Sequence, residues 1–356
     1  MLTHIHGAKC IGIDAVEVTV EIDIDRGIGI HLVGLADVAV KESLLRTTTA
    51  LEALGFHIPG KRIVINLAPA DLRKNGSGYD LPIAIGIIAA SGQRELPRAG
   101  QYILMGELGL DGSVRPIPGA LPFAEMARKA GYEGIILPVE SAMEAAEFKE
   151  MLVYGVGGLG DVVRILEGKE DCREMLVWNT RQYQKAHRAR LAAPRTENGV
   201  DFADIIGQEG AKRGLEIAAA GGHNIIMVGA PGAGKSSLAK ALAGILPPMT
   251  KEEALVTSKI YSVAGKGSPQ DGLIRRRPFR APHYSASLPA IVGGGGGDNI
   301  QPGEVSLAHG GVLFLNDIFF SYSVLKILYL YQIYHHYGQE VRICTSACEY
   351  ARTITG

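Results

Sequence analysis

The chain contains 356 residues, of which 47% are hydrophobic and 21% are charged, and this composition excludes intrinsic disorder and collagen-like structure. Lys and Arg number 36 against 37 Asp and Glu, so the formal net charge of −1 excludes a global positive field that would draw the chain onto nucleic acid or an anionic membrane. At roughly 150 residues per domain, the length predicts about two domains.

The cysteine content and the hydropathy pattern predict a cytoplasmic protein without a membrane partner. Four cysteines are too few and too scattered to form a disulfide framework in a chain of this length. The longest apolar runs, such as 81–90, are shorter than the stretch of about 20 residues that a helix needs to cross a bilayer.

The first predicted elements alternate between strands and helices. Residues 15–24 place valine and isoleucine at every second position from Val16, which predicts a strand with one face in water. Residues 38–54 predict a helix that Gly55 ends, and 62–67 predict the next strand. The apolar stripe assigned to this helix consists of Val40, Leu44, Leu45, Leu51 and Leu54.

The alternation continues through the first half of the chain and predicts an α/β or α+β domain over residues 1–167. Its later elements are helices over 82–90 and 123–130, a strand over 134–137, and helices near 143–150 and 159–167.

Residues 168–200 lose the apolar periodicity and are predicted to be a basic linker. The stretch 181–195 contains arginine, lysine and histidine but no acidic residue. A solvated surface is the favoured interpretation, and contact with a phosphate backbone is the alternative. The second domain is predicted over 201–356.

The second domain contains a phosphate-binding motif. Residues 224–228 form an apolar run typical of a buried parallel strand, and 229–236 follow with the pattern G-x-x-x-x-G-K-S. The glycines allow backbone N–H groups to point at phosphate oxygens, and a helix predicted over 237–246 starts there with its positive end. Lys235 is expected to neutralise the β and γ phosphates, and the Ser236 hydroxyl is expected to bind Mg²⁺.

The motif predicts ATP and Mg²⁺ as cofactors, with Lys235 in a catalytic role because it neutralises the phosphates. The residues predicted to bind the nucleotide are Gly229, Ala230, Pro231, Gly232, Ala233, Gly234, Lys235, Ser236 and Ser237.

The acidic residues that usually complete such a site are altered. Residues 311–315 form a second apolar strand, and Asn316 and Asp317 follow it as the candidate catalytic residues and, with Ser236, as the candidate metal ligands. Asn316 offers a carbonyl oxygen without negative charge, and Asp317 is one methylene shorter than the Glu usually needed to activate water. A shift of one residue would give Asp317 to the metal but place Ile318 at the base position, so ATP hydrolysis stays open.

Five blocks, in this order, resemble the Mg-chelatase-like AAA+ ATPases of the competence protein ComM (YifB) type. They lie at 33–43, 62–84, 207–236, 278–283 and 302–315, and they include VGLADVAVKES, GQEGAKRG and PFRAPH. The resemblance implies an N-terminal α+β domain with the fold of the Lon protease proteolytic domain (ribosomal S5 domain 2-like), followed by a P-loop AAA+ α/β domain. It also implies a hexameric ring and a DNA helicase activity that promotes branch migration during natural transformation.

The partners implied by the resemblance are nucleotide, single-stranded or branched DNA, and further copies of the chain. The Lon-like domain is not expected to act as a peptidase. Gly78 stands at the nucleophile position with Ser77 one place early, and Leu121 stands where the lysine base would be.

The sequence departs from the family pattern after Asp317 and stops at Gly356, before a sensor strand and a helical lid would follow. The expected AAA+ domain is therefore incomplete and lacks the helical lid.

The preferred hypothesis is an ATP-binding AAA+ motor of the ComM type that acts on DNA. One alternative is a nucleotide-binding regulator or decayed homologue without hydrolysis, and another is a chelatase-type ATPase that remodels a protein partner. A separate basic cluster is expected either to contact DNA phosphates or a neighbouring subunit's nucleotide, or to form a charged surface loop. Its members are Arg275, Arg276, Arg277 and Arg280.

Overall fold

The computed structural model describes residues 2–169, 171–192, 200–267, 272–296, 299–315 and 342–347. The chain divides into two compact units. The first contains 1–192 with 261–273 and 297–299, and the second contains 193–260, 274–296 and 300–356.

The first unit is built on a seven-stranded sheet with the order β3-β4-β2-β1-β5-β8-β9. Its strands are β1 (Thr3–Ile11), β2 (Asp14–Asp25), β3 (Gly29–Val33), β4 (Arg62–Ala68), β5 (Tyr102–Leu104), β8 (Gly134–Pro138) and β9 (Leu152–Val156), and a separate pair comprises β6 (Glu107–Leu108) and β7 (Val114–Arg115). The β1–β2 hairpin is antiparallel with His6 opposite Thr19, and β2 and β4 are also antiparallel. The remaining neighbours in this sheet are parallel.

The helices of the first unit are α1 (Val38–Ala53), α2 (Asp80–Ala90), α3 (Ala120–Ala130), α4 (Val139–Glu144), α5 (Leu159–Glu167) and α6 (Arg181–Ala192). The helices predicted over 38–54, 82–90, 123–130 and 159–167 are confirmed, as are the strands predicted over 15–24, 62–67 and 134–137. The helix predicted near 143–150 is wrong in position. The α-helical residues there end at Glu144, and a short 3₁₀ turn follows over Ala145–Glu147.

Helix α2 forms the centre of the first core and packs against β1, β2 and α1. It is buried on nearly every side, with Ile83, Ile85 and Ile87 fully inaccessible to solvent. The helix lies so close to the sheet that a Cβ atom at Gly86 would come within 2.4 Å of Cδ1 of Ile22. Glycine at this position therefore permits the close approach of helix and sheet.

Helix α1 buries only part of the predicted apolar stripe, with Val40 and Leu51 fully buried. Leu45 is 73% exposed and Leu54 is 42% exposed, whereas the small polar residues Ser43 and Thr47 are buried. The hydroxyl of Ser43 donates to the carbonyl of Val40 at 2.7 Å, so its burial leaves no unpaired donor. Hydrogen bonding of small hydroxyls therefore allows a face that counts as polar in the sequence to pack inward.

Residues 181–192, at the predicted linker, form helix α6. Tyr183 and His187 stack on one side of this helix with ring centroids 5.7 Å apart. Arg181, Lys185 and Arg188 are exposed. The loss of apolar periodicity therefore coincides with a helix that is largely solvated and not with a break in regular structure.

The elements that follow residue 200 are α7 (Glu209–Gly221), β10 (Ile225–Val228), α8 (Lys235–Ile245), α9 (Lys251–Val263), β11 (Phe279–Arg280), α10 (Leu288–Val292), β12 (Gly294–Gly296), β13 (Asn299–Gln301), α11 (Glu304–Leu307), β14 (Val312–Leu315) and β15 (Arg342–Ala347). The central sheet of the second unit has the order β10-β15-β14-β11, and every neighbouring pair in it is parallel. Leu238 and Leu242 of α8 pack with Met227, Val312 and Phe314 of the strands.

The parallel sheet confirms the predicted α/β class for the second unit. Within the part of the chain that the structure describes, none of the helices has both the length and the apolar character needed to cross a bilayer.

Candidate functional site

The phosphate-binding motif forms the connection between β10 and α8. The predicted strand over 224–228 corresponds to β10, and the predicted helix begins two residues earlier than expected, at Lys235. Gly232 and Gly234 have φ angles of 80° and 85°, in the left-handed region that L side chains rarely adopt. These two glycines turn the chain sharply from the strand into the helix.

The first turn of α8 faces this loop. Leu238 N–H donates to the carbonyl of Gly234 at 3.0 Å, which is the start of the intrahelical hydrogen-bond pattern. The N–H groups of the three preceding residues, 235–237, belong to the helix start, where a helix has no acceptors of its own. Together with the positive end of the helix dipole, these N–H groups favour an anion at the loop.

The Lys235 side chain lies over the loop. Its Nζ donates to the carbonyl oxygen of Gly229 at 2.7 Å and to that of Ala230 at 3.0 Å. The ammonium group is therefore held among the residues that the sequence assigns to the nucleotide. A phosphate oxygen would compete with these carbonyls for the same donors, because its negative charge also attracts the ammonium group.

Ser236 and Ser237 are exposed in the first turn of α8. A serine hydroxyl is a hard oxygen donor of the kind that Mg²⁺ prefers. The structure thus brings residues 229–237 together in one loop and helix start.

Asn316 and Asp317 lie outside the described residues. The strand that leads to them, β14, ends at Leu315, which pairs with Thr345 of β15. Strand β10 also runs parallel to β15, with Val228 opposite Ala347. The carboxyl ends of β10 and β14 therefore lie at the same edge of the sheet, which is the edge where α/β proteins bind ligands.

Gln208 also contacts the loop, although the sequence did not single it out. It caps α7 with a φ of 61°, and its Nε2 donates to the carbonyl of Ala233 at 3.3 Å. The preceding Gly207 also has a left-handed φ, of 72°. In the sequence, the local signal of this left-handed turn is the pair Gly207 and Gln208 directly before α7.

Arg277 and Arg280 of the basic cluster form ion pairs within the second unit. Arg280 forms a bidentate ion pair with Glu304, at 2.5 and 2.7 Å. Arg277 donates to both carboxylate oxygens of Glu253 at 3.1 Å and to the carbonyl of Gly310 at 2.8 Å. These two guanidinium groups connect segments of the second unit that are distant in the sequence. Arg275 and Arg276 lie at the surface.

The network around Arg277 changes the acidity of its neighbours. Hydrogen bonding from the Thr250 N–H and from the Arg277 guanidinium holds the pKa of Glu253 below its usual range. Burial lowers the pKa of His309, and the attraction of Glu253 only partly offsets this effect. His309 therefore favours its neutral form in the folded state.

The candidate peptidase positions of the first unit have structural contacts. Ser77 donates its hydroxyl to the carboxylate of Glu107, and Leu121 lies in the core at 1% exposure. Lys74 is buried and donates to the carbonyl of Pro69, and burial lowers its pKa. A Cβ atom at Gly78 would approach Cε of Met105 to 2.9 Å.

Comparison with known proteins places these features in a family. The family model "Magnesium chelatase, subunit ChlI" matches residues 201–329, and the model "Subunit ChlI of Mg-chelatase" matches 20–141. The chain is 42% identical to YifB of Salmonella typhimurium over 318 residues, which cover 89% of this chain and 60% of that protein. It is also 42% identical to the competence protein ComM of Haemophilus influenzae over 322 residues, with the same coverage of each chain.

A shorter match, 24% identical over 113 residues and 32% of this chain, is to the DNA repair protein RadA of Salmonella typhimurium. Together with the parallel sheet and the phosphate-binding loop, the matches define a Mg-chelatase-like AAA+ protein. The chain belongs to the family that contains YifB and ComM. It spans 60% of the length of these two relatives.

Proposed function

We propose that this chain binds ATP with Mg²⁺ at residues 229–237 and acts as an AAA+ ATPase motor on DNA. The observation that supports this most directly is the loop between β10 and α8, with the Lys235 ammonium held over it by two backbone carbonyls. Among the described residues, no atom beyond the chain neighbours lies within 4 Å of where a Cβ would stand at Gly232 or Gly234, which is compatible with a ligand at the loop.

Each part of the loop has a distinct task in this proposal. Backbone N–H groups of the loop and of the first turn of α8 bind phosphate oxygens, and Lys235 neutralises charge on the β and γ phosphates. Ser236 supplies a hydroxyl ligand for the metal. The bound Mg²⁺ would add positive charge that stabilises the transferred phosphoryl group.

We assign Asn316 and Asp317 as the remaining metal and catalytic residues. Asn316 would contribute a neutral carbonyl oxygen, so the site would hold Mg²⁺ with less negative charge than one built from two acids. Asp317 would orient or activate the attacking water. The replacement of an acid by Asn316 also favours the second candidate function, a nucleotide-binding regulator that does not hydrolyse ATP.

DNA is the proposed partner because one relative is named a competence protein and another a DNA repair protein. We also propose the division into a Lon-like domain at 1–167, a basic linker at 168–200 and an AAA+ domain from 201. A hexameric ring is the proposed assembly. A chelatase-type role in remodelling a protein partner is favoured by the family models, whose descriptions name Mg-chelatase.

The test is Mg²⁺-dependent ATP turnover with and without single-stranded DNA, with binding of a fluorescent ATP analogue measured in parallel. Lys235→Ala is the blank, and Lys251→Ala is the matched control, because it removes an exposed lysine of the same unit outside the loop. The motor proposal expects turnover above the blank and stimulation by DNA. Binding without turnover would favour the regulator, and turnover that DNA does not stimulate would favour the chelatase-type role.

A further inference from the structure

The second unit contains a cleft that the nucleotide site does not use. Its volume is about 440 Å³, within the range of pockets that hold small organic ligands. One wall comprises residues of α8 from Lys240 to Gly244, and the other comprises the segment 275–277 that leads into β11. The cleft therefore joins parts of the chain that are separated by α9.

The cleft lies at the opposite edge of the sheet from the phosphate-binding loop. Helix α8 starts at that loop, and the lining of the cleft extends from Lys240 near the middle of the helix to Pro248 beyond its end. The other wall, 275–277, precedes β11, which is parallel to β14. The cleft is thus at the amino ends of the strands, whereas the loop follows a carboxyl end.

The charged side chains that line the cleft are basic. Among the described residues that line it, four are basic and none is acidic. Lys240, Arg275 and Arg276 are exposed. Arg277 has Glu253 as its carboxylate partner and also donates to the carbonyl of Pro247 at 2.8 Å, so it fixes the wall that the other cations line.

The floor of the cleft is apolar. Leu246 is 7% exposed, and Pro247 and Pro248 add exposed rings. Phe279 is half-buried and stacks on Phe314 with ring centroids 6.1 Å apart and an interplanar angle of 23°. The floor is therefore a rigid surface against which a flat apolar group can lie.

A ligand that suits both surfaces needs anionic groups joined to flat rings. A small inorganic anion would use only the cations, and an uncharged aromatic molecule would use only the floor. Single-stranded nucleic acid has both, because its phosphates pair with lysine and arginine while its bases stack on apolar and aromatic surfaces.

We propose that this cleft binds the backbone of single-stranded DNA, with phosphates against Lys240, Arg275 and Arg276 and a base against the floor formed by Pro247, Pro248 and Phe279. The inference rests on the proposed action on DNA and adds a binding surface separate from the nucleotide site. Each phosphate neutralised releases condensed cations, so the affinity should fall steeply as salt rises.

The test is fluorescence anisotropy of a labelled 20-nucleotide oligo-dT with the full chain, at several salt concentrations and without nucleotide. Lys240→Ala, Arg275→Ala and Arg276→Ala are each expected to raise Kd about three- to tenfold and to reduce the slope of log Kd against log salt by about 0.7. Arg276→Lys keeps the charge and should stay within about threefold of the parent.

The control is Arg213→Ala, which removes an exposed arginine of α7 that pairs with Glu216 at 2.9 Å. It should leave Kd within about twofold of the parent, since exposed ion pairs of this kind contribute little. Binding of the fluorescent ATP analogue should be the same in the parent and in every cleft variant, which separates this site from the loop.

The outcomes separate the two proposals. If the parent binds oligo-dT and the cleft variants bind equally well, the cleft assignment is wrong and the proposed function stands. If the parent does not bind oligo-dT, the cleft assignment is overturned, and the action on DNA is then decided by whether single-stranded DNA stimulates ATP turnover. If polyglutamate competes as well as oligo-dT at equal charge, the cleft is a site for polyanions in general and the assignment to DNA is wrong.

Discussion

Arg46 and Asp80 form a bidentate ion pair, in which Nε and Nη2 of the arginine donate to the two carboxylate oxygens at 2.8 and 3.1 Å. Asp80 is fully buried, and the N–H of Leu108 donates to it at 3.1 Å. The pair therefore joins α1 to the start of α2 and to β6. The pair lies close to Glu107, which accepts a hydrogen bond from Ser77 and adds to the negative charge around Arg46.

Replacing Arg46 should destabilise the first unit strongly. Arg46→Ala leaves the buried carboxylate of Asp80 without its cation, and we expect the free energy of unfolding to fall by about 3 kcal/mol. Urea denaturation monitored by circular dichroism measures the loss. The matched control is Arg62→Ala, which breaks an exposed pair with Asp25 at 3.5 Å and should cost less than about 1 kcal/mol.

The double variant Arg46→Met with Asp80→Leu extends this prediction. Because it removes both charges and fills the space with apolar atoms, it should recover most of the stability lost by Arg46→Ala. Equal losses of unfolding free energy for Arg46→Ala and Arg62→Ala would contradict the prediction, because the buried ion pair would then contribute no more to stability than the exposed one.

Gly234 and Gly244 should respond oppositely to the same substitution. Gly234→Ala forces a side chain into a φ of 85°, which costs roughly 1–2 kcal/mol, and it should weaken binding of the fluorescent ATP analogue. Gly244 lies inside α8, and no atom of the described residues outside that helix lies within 4 Å of its Cβ position. Gly244→Ala should therefore stabilise the protein by about 0.5–1 kcal/mol. Thermal unfolding compares the two, and a stabilised Gly234→Ala would contradict the prediction.

Gln208 should support nucleotide binding through the loop backbone. Gln208→Asn keeps a residue that tolerates a left-handed φ but shortens the side chain by one methylene, so its contact with the Ala233 carbonyl is lost. We expect ATP-analogue binding to weaken about fivefold, as one neutral hydrogen bond contributes about 1 kcal/mol. Lys251→Ala again serves as the control. Unchanged binding of the ATP analogue in Gln208→Asn would show that Gln208 does not contribute to nucleotide binding.

Acidification should destabilise the second unit partly through His309. Its pKa is lowered in the folded state, so the unfolded chain binds the extra proton more readily. The resulting stability is full above the unfolded pKa of about 6.5 and falls as the pH drops through and below it. His309→Gln should therefore reduce the loss of unfolding free energy between pH 7.5 and 5.5, as measured by urea titration at each pH.

Glu253 acts in the same direction, because its pKa is also lowered and its stabilising charge disappears on protonation at lower pH. Urea titrations that include pH 4 distinguish the two groups. An unchanged pH dependence in His309→Gln would assign the effect to Glu253 and to other carboxylates.

The local sequence pattern predicted strands in both units. The alternation over 15–24 predicted β2, and the apolar run before the glycines predicted β10. A half-buried strand shows apolar residues at every second position, and a buried strand shows a short continuous apolar run. Both patterns are visible in a few consecutive residues. The same holds for the turn glycines, whose φ angles follow from the motif.

Contacts between distant residues could not be predicted in this way. Ser43 and Thr47 can lie on the inward face of α1 because their hydroxyls donate to backbone carbonyls. The hydrophobic periodicity of the sequence does not indicate these hydrogen bonds. The sequence does not show which arginines of the basic cluster form ion pairs within the second unit. In the structure, Arg277 and Arg280 pair with Glu253 and Glu304, each 24 residues away.

The sequence by itself determined the strand-loop-helix motif with Lys235 and Ser236, since each of its features is encoded within a few consecutive residues. The tertiary structure alone decided which charges are exposed, that Gln208 reaches the loop, and that Lys240 and Arg275 line one cleft. The physical reason is the distance along the chain over which each property is determined. Backbone conformation follows from neighbours along the chain, whereas burial and charge pairing depend on which distant segments the sheet brings together.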